Sequence, residues 1–192
     1  VGLSLGLSST FIISSYILKE TSYDTFHSNK DHIYRILCDH QNVNWVSANA
    51  PYILKEHIDN SVPIVQESCL MNYLYMAKIK QGTEFVNFRR LMASTPEFFK
   101  IFDYDVINGS IDNALTQTNS LVITRKTAKK YFQNDNPIGK IVEVQIGKDS
   151  YQLIINAVIE NIPDNSSIKF DALCSFDLAS NYYESMNWSS KF

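Results

Sequence analysis

The sequence has few of the residues that characterise disulfide-linked, metal-binding or nucleic-acid-binding domains. Its only cysteines, Cys38, Cys69 and Cys174, show none of the close spacings of zinc and redox sites. We predict buried free thiols and no disulfide, because each cysteine lies in an apolar stretch. Basic residues are also few: 17 Lys and Arg against 20 Asp and Glu give a formal net charge of -3. Without a Lys/Arg stripe, a nucleic-acid partner is not expected.

Nucleotide-binding and hydrolase motifs are absent as well. Gly139-Lys140 does not belong to a phosphate loop, because Asn134 replaces the leading glycine and Ile141 replaces the Ser or Thr that would hold magnesium. No G-x-S-x-G elbow and no S-x-x-K motif is present. We therefore predict that the chain is not an enzyme, and we assign it no catalytic residue and no cofactor.

The remaining polar candidates show no metal-ligand spacing. The histidines form no H-E-x-x-H pattern, and no cysteine or carboxylate pair accompanies them at ligand distance (His27, His32, His40 and His57). Several carboxylates stand singly on strands and turns, where solvated surface acids are the default interpretation (Asp103, Asp105, Glu143 and Glu160). We predict no metal site.

What the sequence does have is an uncharged start. Residues 1–18 contain no charge before Lys19 and Glu20, although five serines interrupt the apolar residues. A spanning helix needs about 20 mainly apolar residues, so we predict that residues 1–18 are the C-terminal part of a first transmembrane helix. A buried core helix is the alternative, and a signal peptide is disfavoured because no basic n-region and no cleavage site are visible. Residues 19–192 then form one globular domain, which we expect to be incomplete at its C-terminus.

Hydrophobic patterning predicts a mixed α+β domain. The first strand is placed at 32–38 and buried on both faces, and a helix with Pro51 near its start follows an Asn49 cap and ends at Pro63. The other predicted elements, in chain order, are an extended segment 64–80, a hairpin turn at 81–83 into a strand 85–93, a helix 97–102 capped by Thr95, a strand ending at Asn108-Gly109, a strand 120–124, a helix 125–132 capped by Thr124, a hairpin of 141–146 with 151–159, and a strand 170–176.

An ordered set of short motifs extends over nearly the whole chain. They are Glu20 to His27 (ETSYDTFH), Asp31 to Arg35 (DHIYR), Phe98 to Asp103 (FFKIFD), Asn119 to Thr124 (NSLVIT), Ala128 to Phe132 (AKKYF), Asp135 to Lys140 (DNPIGK), Ile162 to Ser166 (IPDNS) and Lys169 to Asp171 (KFD). In this order and spacing, the chain resembles MacB-like periplasmic core domains of FtsX-like ABC-transporter permeases from Bacteroidota-type bacteria.

The resemblance implies a two-lobed periplasmic domain between the first and second membrane helices of an inner-membrane permease. It implies a second permease copy, an ABC ATPase subunit or domain and a periplasmic adaptor or substrate protein as partners. The implied role is mechanotransmission, in which cytoplasmic ATP hydrolysis drives export or release work in the periplasm. The family provides no catalytic residues to transfer. The alternative is an extracytoplasmic ligand-sensing domain of a membrane receptor, which would also follow a first membrane helix; a periplasmic hydrolase ranks third.

One short stretch is expected to carry coupling. Tyr23, Asp24, Phe26 and His27 fall between the predicted membrane helix and the first strand, where any force passing between them must travel. We expect Tyr23 and Phe26 to pack against the base of the domain and Asp24 to cap the segment that follows it. The alternative is that the aromatic rings anchor the chain among lipid headgroups.

Overall fold

The chain begins with a single exposed helix. A computed structural model describes residues 2–40 and 45–179, and helix α1 (Gly2–Thr21) is the first element. The helix passes Lys19 and Glu20, beyond the end of the uncharged run, and none of its residues is buried. Its length agrees with the lack of proline and of charge before Lys19. Helix α1 therefore projects from the domain and does not pack into its core.

The strand predicted at 32–38 is wrong. A 3-10 helix occupies Lys30–His32, and the next strand, β1 (Cys38–His40), pairs only with β2 (Trp45–Ser47) in a separate two-stranded sheet. Tyr34, expected inside, is 83% exposed. An apolar run becomes a buried strand only where other strands pair with it, and that pairing is not encoded locally.

The remaining elements follow the predicted order, with some shifts in their ends. They are α2 (Ile53–Ser61), β3 (Met71–Tyr73), β4 (Ala77–Gln81), β5 (Glu84–Asn87), β6 (Leu91–Ser94), α3 (Phe98–Ile101), β7 (Val106–Gly109), β8 (Ser120–Thr124), α4 (Arg125–Phe132), β9 (Ile141–Ile146), β10 (Asp149–Ile159) and β11 (Ala172–Ser175). The mixed α+β class predicted from the sequence is confirmed.

Helix starts depend on which group takes up the cap position. Thr124 caps α4 as predicted, since the Thr127 N–H donates to its hydroxyl over 3.3 Å. The Thr95 cap is wrong: the Phe98 N–H donates to the Thr95 carbonyl, and the Thr95 hydroxyl instead accepts from Leu70 N–H. The Asn49 cap is also wrong, because α2 begins at Ile53 without a side-chain cap.

One long hairpin bends the main sheet. The strand order is β3-β6-β11-β8-β10-β9-β4-β5, with β7 also paired to β10. Strands β3 and β4 pair with β6 and β5 in one continuous register, from Met71 opposite Ser94 to Gln81 opposite Glu84. Because β6 continues the sheet through β11 while β4 continues it through β9, the two halves of the same hairpin lie at the two ends of the strand order. The sheet therefore curls.

Both faces of the central strand β8 are covered. Leu121 and Ile123 point into a cluster that α4 covers, and Val122 points into a second cluster with Phe98 and Phe170. This alternation follows from the two-residue period of a strand. In a strand with two covered faces every side chain is buried, as all of β8 is. The second cluster extends toward the residues that hold α1.

Candidate functional site

The candidate functional site is the place where α1 is attached to the rest of the domain. Residues 22–28, which we call the joint, follow α1 directly. Since no residue of α1 is buried, the joint provides the described contacts between this helix and the core. It touches the core in two places, around Asn165 and around Asp103.

The first contact is a hydrogen-bonded clamp with the loop between β10 and β11. The Asp24 N–H donates to the Asn165 carbonyl over 2.8 Å, and the Asn165 side-chain amide donates to the Ser22 carbonyl over 2.6 Å. The Ser167 N–H then donates to the Asp24 carboxylate over 2.8 Å. Asp24 has a φ of 55°, in the left-handed region that Asp and Asn tolerate better than most residues. Backbone and side chains thus fix the path of the chain as it leaves α1.

The second contact is reciprocal and involves a buried histidine. His27 is 2% exposed, and its Nδ1 accepts from the Asp103 N–H over 3.1 Å. The Asp103 carboxylate in turn accepts from the N–H and the hydroxyl of Ser28, over 2.6 and 2.8 Å. Each side of this contact therefore donates to the other, and the exposed Asp103 carboxylate is held in place.

Aromatic rings join the histidine to the core. The His27 ring centroid lies 4.1 Å from that of Phe26, 5.2 Å from Phe102 and 5.6 Å from Tyr104. Tyr104 stacks on the fully buried Phe98 at 5.7 Å. Burial lowers the pKa of His27, against the opposing effect of the Asp24 and Asp103 carboxylates, and burial also raises the pKa of Tyr104. The histidine is thus enclosed by aromatic rings, one from the joint and two from the segment 102–104.

The structure brings most of the predicted coupling residues into contact with the core. Phe26 is half-buried against His27 and Tyr104, but Tyr23 remains 38% exposed, so its expected burial is wrong. Asp24 does not cap the segment that follows it; it accepts from the distant loop at Ser167. Sequence analysis missed Asn165 and gave Asp103 no role, because no local signal links positions so far apart in the chain.

The three cysteines are free. Cys174 is buried, as predicted, whereas Cys38 and Cys69 are half-buried. Burial raises the pKa of the Cys69 and Cys174 thiols to about 12, so neither is ionised near neutral pH.

Gly139 and Lys140, which do not form a phosphate loop, lie in a turn. Gly139 has a φ of +78°, and the Lys140 N–H donates to the Pro137 carbonyl over 3.1 Å just before β9. Within residues 2–40 and 45–179, no group of three or more His, Cys, Asp or Glu side chains could hold a metal ion. Two of the carboxylates that stood singly in the sequence form surface ion pairs, Glu143 with Lys80 and Glu160 with Arg125.

The apolar character of the helices bears on the predicted membrane segment. In the part of the chain that the structure describes, no helix is both long enough and apolar enough to cross a membrane.

The fold and the joint define a class of protein: a curled, mixed α+β domain attached at two points to an N-terminal helix. Residues 1–189 match the family described as MacB-like periplasmic core domain. The chain therefore belongs to this family, whose members are periplasmic domains of ABC-type transporter permeases of the inner membrane. The ATPase activity of such transporters lies in a separate subunit. This membership favours the permease over the receptor alternative.

Solved structures that are similar to this chain include domains of three proteins. A domain of a permease protein from Porphyromonas gingivalis is 24% identical, with a TM-score of 0.51 over 64% of this chain and 55% of that one. The periplasmic region of MacB from Actinobacillus actinomycetemcomitans is 15% identical, with a TM-score of 0.48 over 67% of this chain and 56% of that one. The extracellular domain of the transporter YknZ from Gram-positive bacteria is 15% identical, with a TM-score of 0.49 over 68% and 65%. The chain thus spans less than two thirds of each of these domains. No curated protein matches the chain significantly.

Proposed function

We propose that this domain couples cytoplasmic ATP hydrolysis to export or release work in the periplasm, by moving as a body when α1 moves. The family supports a permease context, and the joint carries the mechanical part of the proposal. A helix without buried residues has no packing surface through which to push on the domain. Its motion must reach the core through residues 22–28.

In this proposal residues 1–18 are the C-terminal part of the first transmembrane helix and residues 19–192 lie in the periplasm. The helix exposes its large apolar side chains along its whole length (Leu3, Leu5, Leu7, Phe11, Ile12, Ile13, Tyr16, Ile17 and Leu18). Three hydroxyls in the first half of the helix bond inside it: Ser8, Ser9 and Thr10 donate to the carbonyl four residues earlier, over 2.8 to 2.9 Å. Internally bonded hydroxyls suit a lipid environment, because they leave fewer unpaired polar groups.

The two contacts of the joint deliver motion to different parts of the core. The Asn165 loop connects β10 to β11, which are both strands of the main sheet. Asp103 lies between α3 and β7, beside the Phe98 cluster. A single attachment would let α1 pivot, whereas two attachments constrain its orientation. The joint therefore suits transmission of direction as well as of displacement.

The implied partners are an ABC ATPase subunit or domain, a second copy of the permease and a periplasmic adaptor or substrate protein. The ATPase would bind the cytoplasmic side, and the second copy would place two such domains next to each other. The work of the assembly would then be a change in the distance between the two periplasmic domains during the ATPase cycle.

Asn165→Ala in the full permease tests this function. The variant removes the amide that holds the Ser22 carbonyl. Ser167→Ala is the matched control, because Ser167 contributes its backbone N–H to the clamp and alanine keeps that donor. Spin labels at exposed position 149 of both copies, on the reconstituted permease with its ATPase, report the distance between the domains.

We expect Asn165→Ala to reduce the ATP-dependent change in that distance to half or less, while ATP hydrolysis stays within about twofold of the unsubstituted protein. Ser167→Ala should match the unsubstituted protein in both measurements. If the distance changes as much in Asn165→Ala as in the control, coupling does not pass through the clamp and the proposed function of the joint is wrong.

A further inference from the structure

The hydrogen bond that His27 makes in this structure requires a neutral imidazole ring. Its Nδ1 accepts from the Asp103 N–H, so Nδ1 carries no hydrogen and the neutral ring must hold its hydrogen on Nε2. Nε2 is buried, and no described residue lies within hydrogen-bond distance of it. A proton added to His27 can therefore only go to Nδ1, where it meets the donor of Asp103.

We propose that His27 is a proton-operated latch: protonation of its imidazole breaks the bond from the Asp103 N–H and weakens the attachment of the joint to the segment 102–104. The ring would then carry a positive charge among Phe26, Phe102 and Tyr104, with a donor facing a donor at 3.1 Å. The protonated ring can regain a good partner only if the segments move apart. A role of the latch in regulating coupling rests on the proposed function, whereas the pH-dependent opening of the joint does not.

The charged groups around the imidazole oppose each other. Asp24 faces it from the joint and Asp103 from the segment after α3, and both carboxylates favour the imidazolium. Tyr104, packed against the ring from the same segment, is neutral near pH 7 because burial raises its pKa. Burial of His27 itself has the largest effect, so its pKa lies below the usual value of 6.5. The Asp103 carboxylate already accepts two hydrogen bonds from Ser28, which limits how much it can stabilise the imidazolium.

The direction of the pH effect follows from linkage. An open joint exposes His27, which then binds a proton with a pKa near 6.5, whereas the closed joint binds one only at lower pH. The closed state is therefore fully favoured above pH 6.5 and is weakened as the pH falls. A single proton raises the opening equilibrium constant by at most tenfold per pH unit until the pKa of the closed state is reached.

Hydrogen exchange of the Asp103 amide in the 192-residue chain, followed by NMR from pH 7.5 to 5.5, tests the latch. Rates are corrected for the intrinsic pH dependence of exchange, and the Val122 amide in the buried strand β8 reports global unfolding. We expect the opening constant at Asp103 to rise several-fold, and at most tenfold, between pH 6.5 and 5.5, while protection at Val122 changes less. The His27 ring resonances should titrate with a midpoint below the usual value of 6.5.

Two variants assign the effect. His27→Gln offers an acceptor that does not titrate in this range, and exchange at Asp103 should become independent of pH. His32→Gln is the control, since His32 is an exposed histidine in the same segment, and it should keep the pH dependence. A flat profile in the unsubstituted chain, or a pH dependence that survives in His27→Gln, would overturn the latch.

The pH dependence of Asp103 exchange in the unsubstituted chain tests the latch even if His27→Gln does not fold. None of these measurements involves transport. A flat exchange profile leaves the coupling function standing, and an unchanged distance in Asn165→Ala leaves the latch standing.

Discussion

Asp24 allows the clamp to be tested at one position with three substitutions. Its carboxylate accepts from the Ser167 N–H, its own N–H donates to Asn165, and its φ of 55° is left-handed. Asp24→Ala removes the acceptor and keeps a Cβ in the left-handed conformation. Asp24→Gly removes the acceptor but tolerates the conformation, and Asp24→Asn keeps an acceptor oxygen and tolerates the conformation.

The expected magnitudes follow from these two contributions. Loss of the bond to Ser167 costs about 0.5 to 1.5 kcal/mol, toward the lower end because the Ser167 N–H lies at an exposed residue and can bond to water. Alanine at positive φ costs roughly another 1 kcal/mol. We therefore expect losses of about 1.5 to 2.5 kcal/mol for Asp24→Ala, about 0.5 to 1.5 for Asp24→Gly and about 0.5 or less for Asp24→Asn.

The assay is exchange protection of the Ser167 amide at pH 7.5, with urea unfolding of the chain as the global measure. Protection at Ser167 should fall in the order Asn, Gly, Ala, and the fall for Asp24→Ala should be about tenfold or more because 1.4 kcal/mol corresponds to tenfold. If Asp24→Asn loses as much protection as Asp24→Ala, the carboxylate charge matters and the conformational argument is wrong. If none of the three changes protection, the clamp does not form in solution.

Two further substitutions test the packing of β7 on β10 and of the joint on the core. Gly109→Ala should destabilise the domain by about 3 kcal/mol or more in urea unfolding, because φ is +80° and a Cβ would overlap the Asn156 carbonyl; a loss below about 1 kcal/mol would show that β7 does not lie against β10 in this way. Phe26→Ala should cost about 1 to 2 kcal/mol in the same assay, since its half-buried ring contacts His27, whereas the control Tyr23→Ala should stay within about 0.5 kcal/mol. Equal effects of the last two would favour the lipid-anchor alternative, or an unordered joint, over packing on the core.

Elements with local signals were predicted well. Strand β8 ends in Thr124, whose hydroxyl caps α4. The apolar run of the strand and the capping threonine lie next to each other in the sequence, so both could be predicted locally. The β9–β10 hairpin follows from Gly147 at positive φ between two β-branched runs. Family motifs extended this success to the overall fold class, because their order and spacing cover nearly all of the chain.

The failures share a dependence on distant partners. Residues 32–38 have the composition of a buried strand, yet the main sheet is completed by other strands and Tyr34 stays in solvent. Asn165 and Ser22 are 143 positions apart, and Asp103 and Ser28 are 75 apart. Side chains that meet only after folding leave no periodicity, cap or turn pattern in a single sequence. The joint was therefore predicted as a region, but not as a set of bonded pairs.

The two proposals, coupling and pH sensitivity, are chemically compatible within the few residues of the joint. Hydrogen bonds with fixed geometry hold a direction that a purely apolar contact would not, because dispersion contacts are nondirectional. The same bonds depend on protonation where one of the acceptors is an imidazole, as at His27. The clamp also includes bonds to the backbone carbonyls of Ser22 and Asn165, which do not titrate. In the proposed latch, one attachment of α1 therefore keeps its bonds to backbone carbonyls when the pH falls, while the other is weakened at His27. The domain would stay attached to α1 but would be held less firmly in direction.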